Sequence, residues 1–92
     1  MRVTLRLAQL FADILGTEEV QVALDQSEAT LGDLLQALLD AQPALRERLE
    51  GNRMLENGSI KAMFVRQDAL ITLQDAVHDG DTIRVMLPIS GG

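Results

Sequence analysis

The segment TLGDLLQALLDAQ (residues 30–42) constrains the fold of this chain more than any other stretch. Thr30 is placed to cap the first turn of a helix, with Asp33 three residues later as the acidic partner of a capping box. A helix with one apolar face must bury that face, so the sequence predicts a helix packed on a second layer. The face consists of five leucines at positions i, i+3, i+4, i+7 and i+8: Leu31, Leu34, Leu35, Leu38 and Leu39.

Alternating apolar and polar residues on both sides of this helix predict the strands of a sheet. The period of two is clearest in RVTLRLA (2–8), EVQVAL (19–24) and IRVML (83–87). Two further strands are predicted in IKAMFV (60–65) and ALITL (69–73), with Gln67 and Asp68 at the turn between them. Helical spacing predicts two short helices, QLFADILG (9–16), which ends at a glycine, and PALRERLE (43–50).

The order of these elements predicts an α+β domain in which a mixed sheet of about five strands wraps one side of the main helix. The first two strands are expected to pair antiparallel, whereas the last strand has two possible places, at an edge or beside the first. Residues 51–58 carry Gly and Asn and are predicted to form an irregular loop. No linker marks a second domain, so we expect one domain over residues 1–87 and a flexible C-terminal tail over 88–92.

Composition and charge exclude several classes of function. A net charge of -6 and 2% aromatic residues argue against a nucleic-acid-binding surface. The absence of cysteine and the single histidine argue against thiolate chemistry and a typical zinc site. Asp79-Gly80-Asp81 lacks the remaining oxygen ligands of a calcium loop. The sequence therefore predicts no catalytic residue and no metal, and the lack of any long apolar run predicts a soluble, cytoplasmic protein without a membrane segment.

The chain ends in PISGG, and this terminus is the motif with the clearest functional content. Pro88 has no N–H and so is expected where strand pairing ends. FADILG, the TLGDLLQAL helix, DGDTIRVML and this terminus together resemble the MoaD/ThiS family of ubiquitin-like sulfur carriers. The resemblance covers nearly the whole chain. The resemblance is greatest to the small subunit of molybdopterin synthase, and it implies the ubiquitin-like β-grasp fold.

The resemblance also implies a function for the tail. The chain would be a carrier and substrate, not an enzyme, with no bound cofactor of its own. An E1-like adenylating enzyme would use ATP and Mg to activate Gly92, and the thiocarboxylate formed there would pass sulfur to a larger synthase or acceptor subunit. Gly91 would supply clearance for the reacting carbonyl, and Ser90 and Pro88 would complete the tail.

Several readings of the chain remain open beside this one. The helical connection between the first two strands favours a molybdopterin-type carrier over a thiamine-type carrier, which joins these strands by a tight hairpin. A carrier for cysteine biosynthesis, a modifier that forms isopeptide bonds with lysines, and a plain interaction domain are the alternatives.

A partner surface is also predicted from the strand pattern. Met63 and Met86 are expected to point away from the main helix and, with Arg84, to form a partner-binding patch on the open sheet face. Isolated exposed methionines without any such role are the alternative.

Overall fold

The computed structural model of the chain describes residues 1–88, in which three helices lie within residues 9–51 and six short strands follow them. The helices are α1 (Gln9–Leu15), α2 (Leu31–Ala41) and α3 (Pro43–Gly51). The strands are β1 (Arg2–Leu7), β2 (Glu19–Ala23), β3 (Ala29–Thr30), β4 (Leu55–Glu56), β5 (Ser59–Ile60), β6 (Met63–Arg66), β7 (Ala69–Ile71), β8 (Ala76–Val77) and β9 (Thr82–Met86). None of the helices in these residues is long and apolar enough to span a membrane.

Five of the strands form one mixed sheet in the order β2-β1-β9-β6-β7. β1 pairs antiparallel with β2, as the sequence predicts. β9 lies parallel to β1 on one side and antiparallel to β6 on the other, so the last strand occupies the centre of the sheet. This placement decides between the two positions that the apolar alternation left open and confirms the α+β prediction.

The leucine stripe of α2 is buried, as predicted, and belongs to the same apolar cluster as the inward residues of the sheet. Val3 and Leu5 of β1 and Ile83 and Val85 of β9 are each no more than 1% exposed. The short helices α1 and α3 complete this cluster with Phe11, Leu15, Leu45 and Leu49. The core is therefore mainly aliphatic, with Phe11 and Phe64 as its aromatic members, and lies on one side of the sheet, while the outward residues of the opposite side are exposed or partly exposed.

The start of α2 is closed by the reciprocal capping that the sequence predicts. The Asp33 backbone N–H donates to Thr30 Oγ1 at 3.1 Å, and the Thr30 backbone N–H donates to Asp33 Oδ2 at 3.0 Å. Both bonds satisfy backbone donors that would otherwise lack a partner within the helix. Because α2 supplies five buried leucines, this cap stabilises the element on which the core depends.

Replacing Thr30 by alanine should lower the free energy of unfolding by about 1 kcal/mol, since the N-cap hydroxyl is lost while the core is untouched. Urea denaturation followed by circular dichroism measures this change. Thr30→Ser keeps the hydroxyl and is the matched control, expected to remain close to the unsubstituted chain. Equal losses in the two variants would contradict a capping role for the hydroxyl.

The prediction of an irregular loop was wrong where β4 and β5 form a hairpin. Asn57 and Gly58 link the two strands with φ of 53° and 79°, the left-handed conformations of a two-residue type I′ turn. Strands of two residues are too short to show an alternating pattern, so the Asn-Gly pair was the only indication of a hairpin in the sequence. The predicted strand over residues 60–65 is also divided, because Ile60 pairs with β4 and the main sheet resumes at Met63.

Candidate functional site

The tail predicted to carry the chemistry begins at the end of the central strand. The ladder between β6 and β9 ends at the pair Met63–Met86, and beyond it Leu87 and Pro88 are exposed. Pro88 cannot donate a ladder hydrogen bond, which agrees with its position just past the paired residues. Gly92, Gly91 and Ser90 lie outside the described residues, so their assignment to the reacting terminus stays a prediction.

A polar turn at the other end of β9 holds the start of that strand. Gly80 has φ of 85°, in the left-handed region that favours glycine, and its N–H donates to the Arg2 carbonyl at 2.8 Å. Asp79 Oδ1 accepts a hydrogen bond from the Arg2 backbone N–H at 2.7 Å. Arg66 Nη1 donates to Asp81 Oδ2 at 2.9 Å, in an ion pair of which both side chains are mostly buried. The turn thus ties the start of β9 to both neighbouring strands.

The same turn offers no metal site. Across residues 1–88 there is no group of three His, Cys, Asp or Glu side chains that could hold a metal ion. The Asp81 carboxylate is instead engaged by Arg66 and by the backbone N–H of His78, at 2.8 Å from the latter.

The three residues predicted to bind a partner lie on one face of the sheet, away from the core. Met63 is directly opposite Met86 in the β6–β9 ladder, so their side chains project to the same side. Met86 is 39% exposed and Met63 is half-buried. Leu70 of β7 joins them and is 65% exposed. We call this surface the methionine face and define it as Met63, Val65, Leu70, Arg84 and Met86.

One basic side chain, Arg84, belongs to the methionine face, and a second, Arg6, lies beside it. Arg84 Nη2 lies 3.6 Å from Asp68 Oδ1, and Asp68 is fully exposed on the β6–β7 turn. Arg6 is the parallel-ladder neighbour of Arg84 and pairs with Glu19 at 3.1 Å. Exposed pairs of this kind contribute little to stability and exchange readily for other anions. Both guanidinium groups can therefore turn to acidic groups on a partner.

Sequence reasoning named Met63, Arg84 and Met86 but missed Val65 and Leu70. The pairing of Val65 with both Arg84 and Leu70 places these residues on the same face. The sequence ALITL contained an indication of this, because successive residues of a strand point to opposite faces and Leu70 therefore lies on the face opposite to Ile71. It could be used only once the order of the strands was known.

Comparison with known proteins decides the family. Residues 8–92 match the sequence profile of the ThiS family. The chain belongs to the ThiS family. This match includes the strands that build the methionine face and extends through Gly91 and Gly92, and it confirms the resemblance on which the β-grasp prediction rested.

Relatives of the ThiS-family chain support the same fold. Small archaeal modifier protein 1 of Haloferax volcanii is 35% identical over 89 residues, which cover 91% of this chain and 97% of the relative. Its crystal structure superposes with a TM-score of 0.75 at 30% identity over the whole of both chains. Small archaeal modifier protein 3 of the same organism is 30% identical over 100% of both chains. In the complex of subunits 1 and 2 of molybdopterin-converting factor from Helicobacter pylori, the matching chain is 24% identical with a TM-score of 0.57, a likeness of fold alone.

Family membership and these relatives define the general type of molecule. The chain is a ubiquitin-like protein of the ThiS family with a β-grasp fold, and it is a carrier or modifier, not an enzyme.

Proposed function

We propose that this chain carries sulfur on its own C-terminus. In this proposal an E1-like enzyme adenylates Gly92 with ATP and Mg²⁺, and the activated terminus becomes a thiocarboxylate that donates its sulfur in cytoplasmic molybdopterin biosynthesis. The observation that supports the proposal most is the ThiS-family match, because it runs from the sheet through the Gly-Gly terminus.

The chemistry requires activation of a poor electrophile. A carboxylate oxygen of Gly92 attacks the α-phosphorus of ATP, pyrophosphate leaves, and a mixed anhydride with AMP remains. Hydrosulfide then attacks the glycyl carbonyl carbon, the C–O bond to the phosphate breaks and AMP leaves with that electron pair, and loss of the proton from sulfur to water gives the thiocarboxylate. Glycine suits this position because no side chain blocks approach to the carbonyl.

The geometry of the described residues supports delivery of the terminus into a partner. The tail begins at an exposed end of the central strand, next to the apolar and basic methionine face. A partner that binds this face would have the first residues of the tail beside its own surface. Four residues past Pro88 extend at most about 14 Å, which sets the depth of a catalytic centre that Gly92 can enter.

The most specific part of the proposal is the pathway that receives the sulfur. α1 connects β1 to β2, and this helical connection is the feature that favours a molybdopterin-type carrier over a thiamine-type carrier. For molybdopterin biosynthesis the expected acceptor is a larger synthase subunit. Cysteine biosynthesis is the alternative pathway that would receive the sulfur.

A second candidate function is protein modification, favoured by the names of two relatives that are at least 30% identical and are called modifiers. The same activated glycyl carbonyl would then be attacked by a lysine amine, with an isopeptide bond as product. The nucleophile that reaches the adenylate determines which of the two products forms.

Intact-mass spectrometry tests the carrier function. The full-length chain is incubated with an E1-like enzyme copurified from its own cells, ATP, Mg²⁺ and a sulfur donor. The expected result is a mass shift equal to the replacement of one oxygen by sulfur, dependent on ATP. A plain interaction domain would bind partners without this shift.

Replacing Met86 by aspartate should weaken binding to the activating enzyme or acceptor by about tenfold or more, because a charge in a desolvated contact is costly. Met86 is 39% exposed, so the charge can remain in water in the free protein and the fold should persist. Isothermal titration calorimetry measures the affinity, and a thermal melt checks the fold.

The matched control is Gln26→Asp, which adds the same charge at an exposed position. Gln26 follows the last residue of β2, at the end of the sheet where β1 begins and away from Met86. Its affinity should equal that of the unsubstituted chain. If Met86→Asp binds equally well too, the methionine face is not the contact surface.

A further inference from the structure

β2 is an edge strand of the main sheet, and alternate residues of its backbone face away from β1. The Leu24 N–H donates to the Met1 carbonyl and the Met1 amine donates to the Leu24 carbonyl, both at 2.8 Å. In an antiparallel ladder such mutually bonded pairs recur at every second residue, so the backbone groups of the residues between them point outward. In β2 these outward-facing residues are Glu19, Gln21 and Ala23.

Thr17 satisfies the backbone at one end of this edge. Its hydroxyl donates to the Glu19 carbonyl at 2.9 Å and accepts from the Glu19 N–H at 3.4 Å. The outward N–H and C=O groups of Gln21 and Ala23 have no hydrogen-bond partner within residues 1–88. Each of these two residues therefore offers a donor and an acceptor to a further strand.

An open groove of about 420 Å³ lies beside this edge, between the end of β2 and α2. The half-buried side chains of Leu24 and Ala37 supply its apolar part. No Lys, Arg or His of the described part of the chain lines the groove. The other lining residues are polar or acidic: Asp25, Gln26, Asp33, Gln36 and Asp40.

The carboxylates at this groove are exposed and weakly engaged. Asp40 Oδ1 lies 3.5 Å from Arg46 Nη2, in an exposed ion pair that contributes little. Asp33 caps α2 but has no ion-pair partner in residues 1–88, and Asp25 has neither an ion pair nor a side-chain hydrogen bond there. A cationic side chain that enters the groove would therefore meet uncompensated negative charge.

From this arrangement we propose that the edge of β2 and the adjacent groove bind an extended segment of another protein, one that carries a lysine or an arginine. The segment adds an antiparallel strand to the sheet through the backbone groups of Gln21 and Ala23. Every second side chain of the segment faces the groove, where an apolar residue contacts Leu24 and Ala37 and a basic residue meets the carboxylates. The proposal does not depend on activation of Gly92.

A second copy of this chain is a poorer occupant of the site. Each copy carries a net charge of -6, so two copies repel each other. The residues that a second β2 would bring to the edge are EVQVA, in which the charged residue is a glutamate. Such a pairing places no cation in either groove, whereas a basic segment of a different protein does.

The site lies away from the tail. Along β1, Arg2 is level with Ala23, and Leu7 is level with Val85 near the end of β9. These two levels are five residues apart, about 17 Å along the strand. A short segment bound at Ala23 therefore leaves Met86 and Pro88 uncovered, so a partner can hold the chain here while another protein acts on the terminus.

An NMR titration of the ¹⁵N-labelled full-length chain tests the site. The probe is the peptide acetyl-TKTVTVTKT-amide, in which valines and lysines share one face of an extended strand. When the peptide fills about nine-tenths of the sites, amide–water exchange at Gln21 and Ala23 should slow about tenfold, because only the free fraction exchanges. The amide of Leu70, on the other edge strand, should keep its rate. The same peptide with glutamate in place of lysine should bind about tenfold more weakly or less.

Matched variants of the peptide and of the chain test the backbone pairing. N-methylation of the threonines removes the donors that face β2 in an antiparallel pairing and should abolish binding, whereas N-methylation of the valines should not. Gln21→Pro removes the outward N–H at an edge position where proline is tolerated, and it should weaken binding about tenfold or more. Gln21→Ala keeps that N–H and should bind like the unsubstituted chain.

Each other outcome overturns the proposal. Unchanged exchange at Gln21 and Ala23 means that no strand is added to this edge, and equal slowing at Leu70 means that the peptide does not select it. Equal binding of the lysine and glutamate peptides removes the groove from recognition. Equal binding of the two N-methylated peptides shows contact without backbone pairing. If a thermal melt shows that Gln21→Pro is unfolded, the N-methylated peptides decide the question of pairing.

Discussion

A chain lacking Gly92 should fold and melt like the full chain and yet acquire no sulfur. Within residues 1–88 the buried residues of the core lie between Val3 and Val85, so we expect removal of the last residue of the chain to leave this core intact. Chemically the loss is complete, because the carboxylate moves by up to about 3.5 Å from the place where it meets ATP. Near-attack geometry does not tolerate a displacement of that size.

The same reasoning applies to a chain with one glycine added after Gly92. Its terminal carboxylate extends past the position where it would meet ATP, and the carbonyl presented there is that of the added residue. Both variants are compared with the full chain by intact-mass spectrometry after incubation with the activating enzyme, ATP and a sulfur donor. Thermal melts should superpose for all three. Sulfur uptake by the shortened chain at the level of the full chain would show that Gly92 is not the reacting residue.

The second large effect concerns stability. Leu35 of α2 is 1% exposed, and Leu35→Ala should lower the free energy of unfolding by about 2–5 kcal/mol through lost burial and a residual cavity. Domains of this size have a total stability of about 5–15 kcal/mol, so the variant will be partly unfolded at modest urea concentrations.

Leu70→Ala is the matched control for this prediction, because it removes the same atoms from a residue that is 65% exposed. We expect its urea midpoint to shift little, by an amount that corresponds to about 0.5 kcal/mol or less. Similar losses at both positions would mean that α2 does not pack on the sheet as described.

Much of the fold followed from local patterns. The leucine stripe and the Thr30–Asp33 cap are properties of consecutive residues, and both were predicted from spacing alone. The five strands of the main sheet were also predicted; four of them have buried residues on one face, as the alternation of apolar residues requires, whereas β7 has none. The central place of β9 was not predicted, because the alternation of apolar and polar residues is the same in a central strand and in an edge strand.

The candidate site was predictable only in part, for a related reason. Met63 and Met86 were assigned to one face because both strands alternate, whereas Val65 and Leu70 join them through strand order, which is a tertiary property. The assignment of Gly92 as the reacting residue rests on the Gly-Gly terminus and the family resemblance, and it stays a prediction because residues 89–92 lie outside those that the structure describes.

The central position of β9 has a mechanical consequence for any force applied at the C-terminus. A pull on the terminus loads β9 along its own axis while β1 and β6 hold it from both sides. The ladder hydrogen bonds run across the strand, so they resist such a force together, in shear, and do not open one after another as they would if an edge strand were peeled away. The domain can thus withstand a pull on its C-terminus without losing β9 from the sheet.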